Sequence, residues 1–208
     1  IVGLTFNKVF CGFIALNDQL KRDAEHCIDQ LKQMHLKSVI LSGDSLKTVR
    51  FVANQLGIST YFSEVTPIGK ASIIRSLQSQ SAIAMVGDGI NDSAALTQAE
   101  IGIVVCNGTD LAFECADVVL VKTGLWRIPF LFVLAKVVKR TIFFNFLISF
   151  CYNLIMLPLA SGLFYTTTGM TLHPWICALT MTLSSMSVVC SSLAIRINPT
   201  IKKYFACN

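Results

Sequence analysis

The sequence predicts an α/β domain, a parallel sheet with helices on both faces, followed by an α-helical membrane hairpin. Three observations predict it. Short apolar runs alternate with amphipathic helical patterns between Val9 and Val121. All 12 acidic residues lie between Asp18 and Asp117, so the part before Leu125 carries a net charge of −2 and the remainder +7. Beyond Arg140 stand two uncharged stretches, of 25 residues (Thr141 to Tyr165) and 24 residues (Leu172 to Ile195).

The elements follow in order. Val9 to Leu16 alternates loosely and reads as a strand. Asp18 suits the cap of a helix in which Ala24, Ile28 and Leu31 share a face. Ser38 to Leu41 is a short buried strand broken by Ser42-Gly43-Asp44-Ser45. A second helix carries Leu46, Val49, Ala53 and Leu56, with Gly57 where a C′ glycine belongs. Pro67 suits the first turn of a third helix, which runs to about Gln78. Ala82 to Val86 is a strand that enters the glycine-rich loop Gly87-Asp88-Gly89-Ile90-Asn91-Asp92. A short helix from about Asp92, a strand from Ile101 to Val105, a helix from Thr109 to Cys115 and a strand from Val118 to Val121 complete the domain. Buried strands without alternation fit a parallel sheet covered on both faces, and ligands of such sheets gather at the carboxyl ends of strands. Both polar loops, 42–45 and 87–92, leave strands at that edge.

Each uncharged stretch exceeds the roughly 20 apolar residues that cross a bilayer. Lys136, Lys139 and Arg140 precede the first, and Arg196, Lys202 and Lys203 follow the second. Basic flanks belong on the cytoplasmic side, so both ends of the hairpin and the soluble half are expected in the cytosol. Trp126 to Val138 mixes Arg127 and Lys136 with Phe130, Leu131 and Leu134 and reads as an amphipathic segment at the membrane surface. The charge division accounts for the net +5 through membrane lipid, with no nucleic-acid partner. The eight cysteines contain no Cys-x-x-Cys pair, and several lie in apolar runs. They read as reduced packing residues, not a disulfide framework. The chain opens on Ile1 inside a strand-like pattern and reads as a fragment.

The loops carry the chemistry. Asp88 and Asp92, four residues apart among glycines, suit a hard cation, because Mg²⁺ takes oxygen ligands and draws only one or two from protein carboxylates. Ser42 and Asp44 add a hydroxyl and a carboxylate, and Lys70 a positive charge for a phosphoryl group. In the membrane half no Asp, Glu, Lys or Arg interrupts either span. Tyr152-Asn153, with Pro158 five residues beyond, and Met181-x-x-Ser184-Ser185 are the polar or soft groups there. Met181 and Ser185 share a helical face. A thioether without carboxylates suits a soft monovalent ion such as Cu⁺. Cys177, one turn before Met181, is a further soft-ligand candidate.

Ser42-Gly-Asp44, Pro67-x-x-Lys70 and Val86-Gly-Asp-Gly-Ile-Asn-Asp92, extended by Gly108-Thr-Asp110 and Ala116-Asp-Val-Val-Leu120, resemble the phosphorylation domain of P-type ATPases, a haloacid-dehalogenase-like fold. Asp18 falls at that family's hinge aspartate. Tyr-Asn-x-x-x-x-Pro with Met-x-x-Ser-Ser resembles the last two helices of the copper branch. The lysine and Asp-x-Gly typical of the zinc and cadmium branch are absent. The resemblance implies that Asp88 coordinates Mg²⁺, that Asp92 supports that site, that Ser42 and Lys70 bind an aspartyl-phosphate with Asn91 nearby, and that Asp44 orders its loop. It implies ATP and Mg²⁺ as cofactors and Cu⁺ as the transported ion. Tyr152, Asn153, Met181, Ser184 and Ser185 would lie on the ion's path. The expected domains are 1–122 as the C-terminal part of the phosphorylation domain, 123–140 as the amphipathic linker, spans at 141–165 and 172–195, and a cytosolic tail at 196–208. The implied partners are the N-terminal domains of the same pump and, through them, a copper chaperone.

Three positions depart from the family: Ser42 replaces its threonine, Ala94 a proline and Cys106 a glycine. The phosphorylated aspartate's motif, Asp-Lys-Thr-Gly-Thr, is not in this chain, so the chain alone is expected not to hydrolyse ATP. Two other functions are open at this level. One is a membrane-tethered phosphatase of the same fold, although Asn17-Asp18 after the first strand is neither Asp-x-Asp nor Asp-Lys-Thr. The other is a non-catalytic short form that regulates a full pump.

Overall fold

The structure is a computed structural model, described for residues 2–14, 19–88, 91–105, 114–121, 124–163, 165, 169, 173–199 and 201–202. It divides into two units, Ile1–Pro129 and Phe130–Asn208.

The first unit opens with an antiparallel hairpin, β1 (Val2–Phe6) and β2 (Val9–Ile14), in which Phe6 faces Val9. Asn7 and Lys8 both have positive φ, 49° and 65°, the backbone of a two-residue hairpin turn whose twist matches that of the strands. The strand expected from Val9 is therefore real, but its only described partner is antiparallel. Lys8 pays a steric penalty in that conformation that glycine avoids. Lys8→Gly is expected to stabilise the hairpin by about 0.5–1 kcal/mol, read as a rise in the denaturation midpoint.

The parallel strands follow. β3 (Val39–Leu41) pairs with β4 (Thr60–Phe62), and β5 (Ala84–Gly87), β6 (Ile101–Val105) and β7 (Val118–Leu120) form a three-stranded sheet with β6 in the centre. Successive residues Gly102, Ile103 and Val104 are all buried, as a strand covered on both faces requires. The helices are α1 (Ala24–Gln33), α2 (Leu46–Gln55), α3 (Pro67–Gln78) and α4 (Ser93–Gln98). Thr66 caps α3 through the Gly69 amide, 3.2 Å away, with Pro67 preset for the first turn. Gly57 ends α2 at φ 64°, a left-handed C′ position. Ile74 of α3, Met85 of β5, Ala95 and Leu96 of α4 and Val104 of β6 form the core. Of the helix expected at 109–115, only 114 and 115 are described, and both are helical.

Two polar clamps fix α3 against α4 and its strand. The Gln78 amide nitrogen donates to the Gln98 carbonyl (2.8 Å), and the Gln98 side chain donates back to Gln78 Oε1 (2.9 Å). Glu100 Oε2 accepts from the Ile83 amide at 2.8 Å; that bond, aided by Gln78, holds the Glu100 carboxyl below its ordinary pKa. Gly102 lets α4 lie close on β6, because a Cβ there would stand 2.8 Å from the Leu96 carbonyl oxygen, which is backbone and cannot swing away. Gly102→Ala is expected to cost about 1–3 kcal/mol, read as a lower unfolding midpoint of the soluble unit.

Asp23, at the N-cap of α1, makes no cap bond to its own helix. Its Oδ2 instead accepts from the Leu125 amide at 2.6 Å, where the chain enters the next helix. Cys27 is buried one turn on; burial, then the Asp23 charge, push its thiol pKa up to about 11, so it remains a protonated packing residue. Cys11, Cys27, Cys115, Cys151 and Cys190 are all free thiols.

The helix that follows, α5, runs unbroken over Arg127–Ala160. The sequence reading separates a surface linker from a span beginning at Thr141, but no residue between them breaks the helix: Lys136, Lys139 and Arg140 are good helix formers. Ile128 and Pro129 in its first turn are buried, and the Arg127 guanidinium lies 4.8 Å from the Trp126 ring centroid. Pro158 sits in the last turn. Its carbonyl accepts from the Leu163 amide (3.2 Å) and the Ser161 hydroxyl (3.0 Å), so the chain leaves the helix directly afterwards. α6 spans Pro174–Ala194 and runs into a short 3₁₀ turn, Ile195–Ile197. Both helices are long and apolar enough to cross a membrane.

Candidate functional site

The site of the first unit is assembled from the loops that follow β3 and β5 and from α3. Ser42 directly follows β3, and its amide donates to the Phe62 carbonyl at 3.0 Å, prolonging the pairing with β4. The Ser42 carbonyl accepts from the Val65 amide (3.1 Å) and the Asp44 carbonyl from Glu64 (2.9 Å). Glu64 makes that turn with a left-handed φ of 57°. Val65 is thus fixed to the Ser42 loop, and one residue later Thr66 starts α3, which carries Lys70. Within the loop the Ser42 hydroxyl donates to Asp44 Oδ2 (2.8 Å) while its oxygen accepts from the Asp44 amide (3.2 Å). Asp44 therefore orients the hydroxyl.

The second half is the loop after β5. Asp92 occupies the N-cap of α4, yet its side chain makes no cap bond. Its Oδ1 accepts from Lys70 Nζ at 2.6 Å, and the two side chains are each 13% exposed. The close packing of α3 on α4 makes this pair possible across 22 residues of sequence. Gly87 is required beneath it: a Cβ at that position would lie 2.6 Å from Asp92 Oδ2 and 2.9 Å from Asp92 Cβ. Asp88 and Asn91 are exposed at the mouth of the loop. Lys70 and Asp92 are thereby brought together, as are Ser42 and Asp44, and α3 joins the two pairs.

Carboxylates suit Mg²⁺, which needs few protein oxygens when phosphate and water complete its shell. Among the described residues no group of three His, Cys, Asp or Glu side chains converges. One oxygen of the Asp92 carboxylate is taken by Lys70, and the Asp88 residue next to Gly87 is exposed. Gly89, Ile90, Asp18, Cys106 and 108–110 lie outside the described residues.

In the membrane unit, Tyr152 is half-buried and Asn153 exposed on α5, and Ser184 is half-buried on α6. Met181 is 72% exposed. The Ser185 hydroxyl donates to the Met181 carbonyl at 3.2 Å, so these two share a face as the spacing requires. Among the described residues no hydrogen bond joins the Tyr152-Asn153 pair to Met181, Ser184 or Ser185. Cys177 falls in α6, but its side chain is outside the described set. A different pair does cross between the helices: Asn145 Nδ2 donates to Ser192 Oγ at 3.2 Å. Sequence reasoning missed it because lone Asn and Ser residues in an apolar run have no spacing signature.

Residues 4–100 match the family model of haloacid dehalogenase-like hydrolases. The chain is 41% identical over 204 residues to copper-transporting ATPase 1 of Rattus norvegicus, covering 97% of this chain and 14% of that protein. It is 40% identical over 201 residues to copper-transporting ATPase 2 of Homo sapiens, covering 95% and 14%. A crystal structure of a zinc-transporting PIB-type ATPase in the E2·Pi state superposes with a TM-score of 0.73 at 33% identity, over 91% of this chain and 30% of that one. The chain belongs to the heavy-metal P-type ATPases. It spans about a seventh of the two copper relatives. This P-type ATPase chain has the α/β class expected from its sequence, with the two apolar helices after it.

Proposed function

We propose that this chain belongs to an ATP-driven Cu⁺ pump that moves the ion out of the cytosol through an aspartyl-phosphate. The soluble unit would handle the phosphoryl group and α5 and α6 would lie on the ion's path. The observation that carries the reading is the Lys70–Asp92 pair, a cation held at 2.6 Å beside the Gly87-Asp88 loop. An ammonium fixed by a carboxylate is preorganised for charge that develops on a phosphoryl group.

Each residue then has a task. Lys70 neutralises phosphoryl oxygens, and Asp92 holds it in place. The Ser42 hydroxyl donates to a phosphoryl oxygen after turning from Asp44, whose carboxylate orders it meanwhile. Asp88 holds Mg²⁺, which when bound offsets phosphate charge, and Asn91 lies beside it. The nucleophilic aspartate would come from the pump's preceding sequence, as would the nucleotide-binding domain and the domains that meet a copper chaperone. The boundaries proposed are 1–122, 123–140, 141–165, 172–195 and 196–208, with the soluble unit and tail in the cytosol. This chain alone is expected to release no phosphate from ATP; steady release by the pure chain overturns that.

Copper is favoured over zinc by the membrane unit. The uncharged runs containing Met181, Tyr152 and Asn153 offer a thioether and neutral oxygens but no carboxylate, a set for a soft monovalent ion. In the intact pump, Met181→Leu keeps volume and removes sulfur. It is expected to lower Cu⁺-stimulated turnover at least about tenfold while leaving the soluble unit's unfolding midpoint unchanged. Unaltered Cu⁺ transport would refute the assignment of Met181.

A further inference from the structure

Among the described residues, the bond between Asn145 and Ser192 is the one side-chain hydrogen bond that crosses between the two apolar helices. Its geometry is determined from both sides. The Ser192 hydroxyl spends its hydrogen on the Val188 carbonyl, 2.8 Å away, so its oxygen can only accept, and the group facing it must be the amide nitrogen of Asn145. Beside this bond lies an open groove of about 240 Å³ lined by Ile142, Asn145, Phe146, Ser149 and Val188. Ser149 is four residues after Asn145, and Val188 is four before Ser192. In an antiparallel hairpin of the two helices, advancing along α5 matches retreating along α6, and the register that the Asn145–Ser192 bond sets puts Ser149 level with Val188.

Continuing that register has a chemical consequence. Seven residues make nearly two whole turns, so positions seven apart lie on one face. Seven steps from Asn145 stands Tyr152; seven steps back from Ser192 stands Ser185. The next positions on each helix are Asn153 and Ser184. The bond thus sets level the groups on which the ion path would draw.

We propose that Asn145 and Ser192 form a register clasp, positioning residues that hold Tyr152 and Asn153 of α5 level with Ser185 and Ser184 of α6 so that the two helices together bind a soft monovalent cation. The cation half of this inference rests on the function proposed above; the clasp itself does not. In hydrocarbon, where water offers no alternative partner, an amide–hydroxyl bond resists the sliding of one helix past the other. Asn145 Oδ1 is buried without a partner, so the amide is held through its nitrogen alone and the bond is sensitive to truncation at either end.

The test uses the intact pump in detergent micelles, with Cys151 and Cys190 changed to serine and cysteines placed by Ser149→Cys and Val188→Cys. A short bifunctional thiol reagent reports the register, and competition with a Cu⁺ chelator reports affinity. The clasp predicts cross-linking in the parent and its loss in Asn145→Leu and in Ser192→Ala. It predicts Cu⁺ affinity roughly three- to tenfold weaker in each, no weaker in the double variant, and recovered when Asn145→Ser is combined with Ser192→Asn. Cross-linking that persists in both single variants overturns the clasp. Cross-linking that is lost while Cu⁺ affinity stays constant overturns the positioning role. A parent that cross-links as predicted but binds no Cu⁺ overturns the copper function while supporting the clasp.

Discussion

Lys70→Met in the intact pump is expected to reduce phosphoenzyme formation from ATP by at least about 10²-fold, the scale of losing one preorganised charge at a reacting group. Acid-quenched labelling with radioactive ATP measures it. The substitution does two things at once. It removes the ammonium, and it leaves Asp92 with a carboxylate that is 13% exposed and without its counterion. The second effect costs stability: exposed ion pairs contribute under about 1 kcal/mol and breaking buried ones costs about 3–5, so a pair this enclosed falls between them. Combining Lys70→Met with Asp92→Asn separates the two. Stability recovers in the double variant because no charge is stranded, while phosphorylation does not. Recovery of phosphorylation in the double variant would show that Lys70 acts only as a structural partner of Asp92.

Gly87→Ala is the second large effect. The added methyl carbon would stand 2.6, 2.9 and 3.1 Å from Asp92 Oδ2, Cβ and Cγ. The oxygen can rotate away, but Cβ moves only with the backbone that starts α4. Asp92 must shift, and it holds Lys70. A displacement near 1 Å at a catalytic group costs on the order of 10²-fold in rate. The expected result is a comparable loss of phosphorylation, together with a raised Mg²⁺ requirement because the next residue, Asp88, is the proposed Mg²⁺ ligand. The fold should survive, since the core of Ile74, Met85, Ala95, Leu96 and Val104 does not include Gly87. Mg²⁺ dependence equal to that of the parent would show that the loop accommodates the methyl group.

Local signals made much of this legible in the sequence. Helix α3 begins at Pro67 and ends at Gln78 as expected, because proline geometry acts within one turn. Strand β6 matches its expected bounds, being a continuous apolar run. Strand β4 was not anticipated: three residues between Gly57 and Pro67 are too few for a periodic pattern, and the pairing with β3 makes them a strand. The direction of β2's pairing depends on a turn that Asn7 and Lys8 complete only by accepting positive φ, which lysine does not advertise. At the site, the partnerships were not legible. Lys70 was expected to meet phosphate and Asp92 to support a metal loop, but their contact depends on the packing of α3 against α4. Asp18 was the expected cap of α1, but the helix starts at Ala24 with Asp23 at its N-cap, and the Asp23 carboxylate meets the Leu125 amide, 102 residues away, a contact no local signal announces.

The unbroken course of α5 sets how far a small rotation at its root is magnified along its length. Its 34 residues give a rod of about 51 Å, against a hydrocarbon layer of about 30 Å. The root is gripped: Ile128 and Pro129 are buried and the preceding amide is held by Asp23. Tyr152 stands 25 residues from Arg127, about 38 Å along the rod. A tilt of roughly 5° at the root therefore sweeps Tyr152 sideways by about 3 Å, more than the length of a metal–ligand bond. The helix has no break between the expected linker and the expected span at which such a tilt could be absorbed.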